Sequence, residues 1–274
     1  MSTNAIATLE GQPIAFLPHQ EEEAKKQSKG ISGNVTMSRA LAESAHGLTL
    51  NEARVMMLAM RCVDPRSSPY QYAKPNEFVK VKVHASDFAE IADLKPDENG
   101  YTNRAAYEGL KSACDKLYER SATWTEGNKL HRMRWTWKST YHEKEGWAEI
   151  SFSPDLTRHI FMLGERFVRY RLEYARGLRS LYSTNLLRLL MTQKDTGFKT
   201  ITLEDFRQQM EVPETYRYAD IKRYAIVKAV EELNAKADIH IEWKETKRGR
   251  SVHSLQFTFE LVQKVPAAQA ELDL

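Results

Sequence analysis

Apolar and polar positions along this chain change period in the same order twice. Before residue 31 no period is sustained. Pro13, Pro18, a run of three glutamates (Glu21 to Glu23) and the pair Lys25 and Lys26 predict a flexible N-terminal arm over residues 1–30. From Thr49 the spacing Thr-x-x-Glu (Thr49, Glu52) is a capping box. It opens a helix with Val55, Leu58 and Ala59 inward that ends before Pro65. Phe78 to Val83 then alternates strictly, with Val79, Val81 and Val83 on one side and Lys80 and Lys82 on the other, as a half-buried strand does. A short helix follows with Phe88 and Ile91 inward. After a turn at Asp97 to Gly100, Leu110, Ala113, Cys114 and Leu117 recur at the helical period from about Thr102 to Arg120. Two strands close the unit: Met133, Trp135 and Trp137 alternate with Arg132, Arg134 and Lys138, and Trp147 to Phe152 follows a turn at Glu143 to Gly146.

Ser153-Pro154 starts another helix, and arginine-rich helical stretches are expected from there to about Met191. Thr202 and Asp205 form a second capping motif ahead of a short helix carrying Leu203, Phe206 and Met210. A longer helix from Tyr218 to Ala237 presents Ile226, Val230 and Leu233. A hairpin ends the unit, with Ile239, Ile241 and Trp243 inward, a loop at Lys244 to Arg250, and Leu255, Phe257, Phe259 and Leu261 alternating with polar residues.

The two halves align by eye. Ser86-Asp87-Phe88 matches Glu204-Asp205-Phe206, and Tyr107 with Lys111 matches Tyr224 with Lys228, at a nearly constant offset. The shared order of helix, short strand, short helix, longer helix and β-hairpin predicts an α+β chain of two tandem winged helix-turn-helix domains related by internal duplication. The expected divisions are an arm at 1–30, a first winged-helix domain at 31–153, a second at 154–261 and a tail at 262–274. The length of 274 residues is enough for two domains of ordinary size.

Composition narrows the classes open to such a chain. With 42% hydrophobic and 28% charged residues it is neither collagen-like nor broadly disordered. No apolar run is long enough to span a bilayer, so no membrane partner is expected, and the chain is expected in the cytoplasm. Two cysteines, Cys62 and Cys114, exclude a disulfide framework or a four-cysteine zinc site and suit small buried residues.

The net charge of +3 is small, but residues 154–260 hold 19 Lys and Arg against 15 Asp and Glu. Arg166, Arg169, Arg171, Arg176, Arg179 and Arg188 form one basic stretch, and Lys244, Lys247, Arg248 and Arg250 another around Gly249. At the start of the longer helix, Tyr216, Arg217, Tyr218, Asp220, Lys222 and Arg223 gather cations, a carboxylate and tyrosines on the turn that a winged helix directs into a major groove. Arginine can donate two parallel hydrogen bonds to guanine and aspartate can accept from cytosine, so this mixture can read bases. Arg217, Asp220, Lys222 and Arg223 are the members of this turn that are candidates to read bases as well as bind charge. Tyr216, Lys228, Lys247, Arg248 and Arg250 are expected on the phosphate backbone. In the first unit the thinner equivalents are Asn103, Arg104 and Lys111 on the helix and Lys129, Arg132 and Arg134 on the wing. The group Trp124, Trp135, Trp137 and Trp147 suits a core or a protein contact better than a base-stacking platform.

The segments Ser180 to Leu190, Ile201 to Phe206, Tyr216 to Arg223, Val230 to Asn234 and Lys247 to Arg250 together resemble the iteron-binding plasmid replication initiator (Rep) family in order and spacing. Leu48 to Arg54 and Leu110 to Leu117 resemble that family's more variable first domain. The resemblance implies a bacterial cytoplasmic protein that binds direct repeats of double-stranded DNA at a plasmid origin, promotes opening, and recruits host replication initiator and helicase loading proteins. It also implies a monomer–dimer equilibrium, with dimers paired through the first domain repressing their own gene at an inverted repeat. Tyr224 stands where some members carry another basic residue. No cofactor and no metal are expected. The eight histidines lack a His-hydrophobic-His pair and there is no Walker-type phosphate loop, so neither DNA nicking nor ATP hydrolysis is expected. A tandem winged-helix transcriptional repressor without an initiation role stays open, because it needs the same grip on DNA.

Overall fold

The structure is a computed structural model that describes residues 31–62, 79–95, 103–126, 128–160 and 167–262. The expected arm at 1–30, the tail beyond Val262, the turn at 97–100 and Arg166 lie outside the described residues.

Thr49 opens helix α2 (Leu50–Arg61), which follows the short α1 (Arg39–Ala42). The Thr49 backbone N–H donates to Glu52 Oε2 at 2.8 Å, the reciprocal arm of the expected capping box. The alternating valines build β2 (Lys80–His84), with Val81 and Val83 buried, and α3 (Ala85–Ala92) turns Phe88 and Ile91 inward. Helix α4 (Asn103–Glu119) buries Leu110, Ala113, Cys114 and Leu117, the expected stripe. Two later strands, β5 (Thr136–His142) and β6 (Trp147–Phe152), form an antiparallel hairpin whose return strand pairs with β2, giving the sheet order β2-β6-β5.

The second unit repeats this plan. Helix α6 (Leu181–Met191) precedes β8 (Phe198–Thr202) and α7 (Leu203–Gln209), where Thr202 Oγ1 accepts the Asp205 N–H at 3.1 Å. The long helix runs as α8 (Tyr218–Asp220), a π-helical stretch (Ile221–Val227) and α9 (Lys228–Lys236). Strands β9 (Ile239–Arg248) and β10 (Ser251–Leu261) form the hairpin, and the sheet order β8-β10-β9 matches the first sheet strand for strand. Both domains are winged helices, as the repeated order of periods predicts.

Between α4 and β5 the first unit carries an extra hairpin of β3 (Ser121–Glu126) and β4 (Lys129–Arg134), which pair only with each other. The single strand expected across Met133 to Lys138 is therefore two. Met133 and Trp135 are buried while Trp137 is 62% exposed, and the β5–β6 register shifts between Thr136 and Lys138. An irregularity of this kind sends a side chain to the opposite face.

The arginine-rich stretch after Ser153 also differs from expectation. It opens as helix α5 (Pro154–Ile160), capped by Ser153 Oγ, which accepts the Leu156 N–H at 3.3 Å. It continues as strand β7 (Phe167–Arg171), which buries Val168 and Tyr170 and pairs with β1 (Asn34–Ser38). The line drawn at 153/154 does not follow this packing, because β7 pairs with the strand that opens the first unit. One further expectation changes: Arg188 is buried on α6 rather than on a basic surface, while Asp87 is buried in an ion pair with Arg61 at 2.8 Å.

Several polar contacts join the two units. Glu211 accepts the backbone N–H groups of His46 and Gly47, each at 2.9 Å, Arg54 donates to the Leu178 carbonyl at 2.6 Å, and Lys199 pairs with Glu43 at 3.2 Å. The His46 ring lies against the Arg188 guanidinium and stacks edge-on to Trp135 at 4.8 Å.

Candidate nucleic-acid interface

A left-handed Glu211 (φ 55°) ends α7, with the Val212 N–H returning to the Arg207 carbonyl at 2.9 Å, and the Arg207 side chain donates to the Tyr216 carbonyl at 2.6 Å, fixing the turn that leads into the long helix. Asp220 accepts the Arg217 N–H at 3.0 Å and so caps that helix. One of its carboxylate oxygens is thus committed to the backbone, a role that the expectation of base contact alone leaves out. Behind this first turn Ile221, Ala225 and Ile226 are buried. Arg217, Lys222, Arg223 and Lys228 are exposed in front, so the expected base-reading and backbone cations of the helix share a solvent face.

The hairpin extends this face. Its strands run on to Arg248 and resume at Ser251, so the loop expected from Lys244 is strand and the turn itself is only Gly249 and Arg250. Gly249 sits at φ 64°, a left-handed geometry that glycine adopts without cost. Lys247, Arg248 and Arg250 are exposed around this tip.

Helix and hairpin are tied by Glu245 on β9. It accepts from the Tyr218 hydroxyl, pairs with Lys222 at 3.3 Å, and lies 3.6 Å from Lys247. The Tyr218 hydrogen bond, with Lys222 and Lys247, holds the Glu245 carboxyl below the usual carboxylate range. Burial, then the same hydrogen bond, raises the Tyr218 hydroxyl, which stays a donor. Lys222 Nζ also lies 5.4 Å from the Trp243 ring centroid. Among the described residues Arg217, Arg223, Lys228, Arg248 and Arg250 form no ion pair, leaving their charge available to a polyanion.

The first unit is organised differently at the same places. Arg104 is exposed and paired with Glu108 at 3.0 Å, and Lys111 pairs with Glu143 at 3.3 Å beneath the Tyr141 ring. Asn103 begins the helix. Its true wing tip, from its place in the β2-β6-β5 sheet, is the turn between His142 and Gly146, which carries Glu143, Lys144 and Glu145. Lys129, Arg132 and Arg134 are therefore not on the wing but on the extra hairpin, where Arg134 donates to the Tyr118 carbonyl at 2.8 Å and pairs with Glu119 at 3.6 Å. Helix, wing turn and the start of α3 enclose an open cleft lined by His84, Ser86, Arg104, Tyr107, Glu143 and Lys144.

Other sequence candidates disperse. Trp135 and Trp147 are buried, with Trp147 stacked on His142 at 3.5 Å, so the tryptophan group is partly core. Arg171 pairs with Glu173 and Arg176 with Glu90, which removes them from any common basic strip. Glu245 was the residue missed: one of two glutamates in a strand of mixed charge carries no local signal, and the packing of β9 against the helix reveals its role. Among the described residues no group of three or more His, Cys, Asp or Glu side chains converges as a metal site requires. None of the described helices is long and apolar enough to cross a membrane.

Two winged helices, the second with exposed cations on its long helix and at its wing tip, define a tandem winged-helix protein. The chain belongs to the initiator replication protein family: the model of that family's first winged-helix domain matches residues 34–191 and that of its second matches residues 202–259. Among solved structures, the crystal structure of the Pi initiator protein in complex with iteron DNA matches with a TM-score of 0.68 at 18% identity. That match covers 86% of this chain and 99% of the other. The first winged-helix domain of MSBI1.176, a replication protein isolated from a multiple sclerosis patient, is 22% identical over 43% of this chain and 86% of its own, with a TM-score of 0.29.

Proposed function

We propose that this chain initiates plasmid replication by binding direct repeats (iterons) in double-stranded origin DNA, with the second domain as the main reader of sequence. The observation that carries this reading is the set of exposed cations Arg217, Lys222, Arg223 and Lys228 on the long helix and Lys247, Arg248 and Arg250 at the wing tip, with helix and hairpin joined through Glu245. Membership of the initiator family and the fold shared with an initiator bound to iteron DNA support it. Arg217, Lys222 and Arg223, with Asp220, read base edges in the major groove, and Tyr216, Lys228 and the wing cations grip phosphates. In the first domain Asn103, Arg104 and Lys111 make a lighter contact from α4, and Lys129, Arg132 and Arg134 offer a separate basic strip on the extra hairpin. Two reading heads on one chain suit an asymmetric repeat bound without dimerisation.

The protein acts by binding, opening DNA and recruiting host replication initiator and helicase loading proteins in the bacterial cytoplasm, rather than by catalysis. Dimers paired through the first domain repress its own gene at an inverted repeat. Footprinting on the DNA flanking its own gene tests the proposal. Several protected direct repeats beside an A·T-rich stretch are expected, and an inverted repeat protected alone would overturn the initiation reading.

A further inference from the structure

Tyr224 lies in the middle of the π-helical stretch, half-buried, with no assigned part in DNA contact. Its ring is surrounded on three sides. The Arg223 guanidinium carbon is 5.3 Å from the ring centroid, Lys228 Nζ is 5.1 Å away, and the Tyr216 ring is 5.9 Å away at 49°. Both cations are within the range in which a ring face attracts positive charge. Tyr216 is itself held in place by the Arg207 bond to its carbonyl.

Lys228 stands four residues beyond Tyr224, a spacing that already shares a helix face, and the π-helical turn brings Arg223 round to the same side. In an α-helix, side chains three and four apart share a face and those five apart do not. Hydrogen bonding from i to i+5 brings residues five apart into line. Ile221 and Ile226, five apart, are accordingly both buried on the inner side, and Arg223 and Lys228, also five apart, both reach the Tyr224 ring on the outer side.

We propose that Tyr224 is a positioning residue that fixes the specificity of the second domain: its ring holds Arg223 and Lys228 in the arrangement needed to meet a base edge and its neighbouring phosphate. The inference rests on the DNA-reading function proposed above. An exposed arginine must otherwise be ordered on binding, and a bidentate contact with guanine tolerates little misalignment, so the platform favours the correct base over others. It contributes no charge, and Lys228 keeps its own charge beside the DNA when the ring is gone, so the number of phosphates neutralised does not depend on the ring.

The test compares Tyr224→Phe, Tyr224→Met and Arg223→Ala in the full chain, on a selected repeat and on a scrambled duplex, across a salt series. Methionine keeps apolar volume at the half-buried site but removes the ring, and circular dichroism melting reports whether each variant is folded. Tyr224→Met is expected to lower the repeat-to-scrambled affinity ratio by roughly five- to thirty-fold with an unchanged slope of log affinity against log salt. Tyr224→Phe is expected to match the parent. Independently of DNA, the Arg223 Nε–Hε resonance of the free protein should be displaced by the ring and return to an ordinary position in Tyr224→Met. If that resonance is undisplaced in the parent, the platform does not exist. A specificity loss in Arg223→Ala with none in Tyr224→Met overturns the positioning role and leaves the function intact, whereas no loss in Arg223→Ala overturns base reading itself. Equal losses in Tyr224→Phe and Tyr224→Met would assign the effect to the hydroxyl and also overturn the proposal.

Discussion

Arg223 and Arg188 show how one residue type takes opposite roles within the second domain. Arg223 is exposed, forms no ion pair among the described residues, and projects from the long helix. Arg188 is buried, with hydrogen bonds to Asn185 and the Gln209 carbonyl, and burial lowers its pKa to about 10. Replacing Arg223 with Ala is expected to reduce discrimination at one or two base pairs by about 1–3 kcal/mol, measured by competition between the selected repeat and single-base variants. The exposure of Arg217, Lys222 and Arg223 was legible because they sit at the start of a strongly periodic helix. Arg188 was not, because a cation inside an apolar run signals burial only once its neighbours are known. The signal for Arg169 and Arg171 was present in the alternation of Phe167, Val168, Arg169, Tyr170 and Arg171, where period 2 outweighs the helical tendency of arginine.

At the scale of elements, the hairpins divide the work unequally. The second wing carries Lys247, Arg248 and Arg250 and the first carries Glu143, Lys144 and Glu145, so only the second favours phosphate contact. Replacing all three second-wing cations with Ala is expected to flatten the log-log salt dependence of DNA binding by up to about 0.9 for each phosphate that is no longer neutralised, with little change in preferred sequence. An unchanged slope in a salt titration would place the wing off the backbone. The wing depends on the packing beneath it: Phe206 on α7 and Phe257 on β10 are fully buried with ring centroids 6.0 Å apart. Phe206→Ala is expected to cost about 3–5 kcal/mol in denaturant unfolding. Capping boxes and apolar stripes made most helices legible. The β3–β4 hairpin was not, because Trp135 and Trp137 two apart imply one continuous strand unless the break between β4 and β5 is known.

Across the whole molecule, the two domains meet at a buried histidine. His46 is held with its pKa well below the ordinary 6.5, first by burial and then by the charge of Arg188. Its neutral form is therefore favoured in the folded chain. The stability this confers is complete above about pH 6.5 and is lost as pH falls below that value, because the unfolded chain takes up the proton first. The loss should approach about 1.4 kcal/mol per pH unit, visible as a falling melting temperature between pH 6.5 and 5 that is smaller in a His46→Gln variant still folded at neutral pH. The tandem architecture was legible from the repeated order of periods, but this junction was not. Its contacts join residues more than a hundred positions apart, such as His46 with Glu211 and Arg188.

The central claim is that one chain reads one asymmetric DNA site with two winged helices, the second supplying most of the specificity. Selection from a random duplex library with the full chain tests it most directly. The expected result is a non-palindromic motif spanning two successive major-groove faces, about 34 Å apart, with one half disappearing when Arg217, Lys222 and Arg223 are replaced. A palindrome, a motif confined to one groove, or no enriched sequence would contradict it.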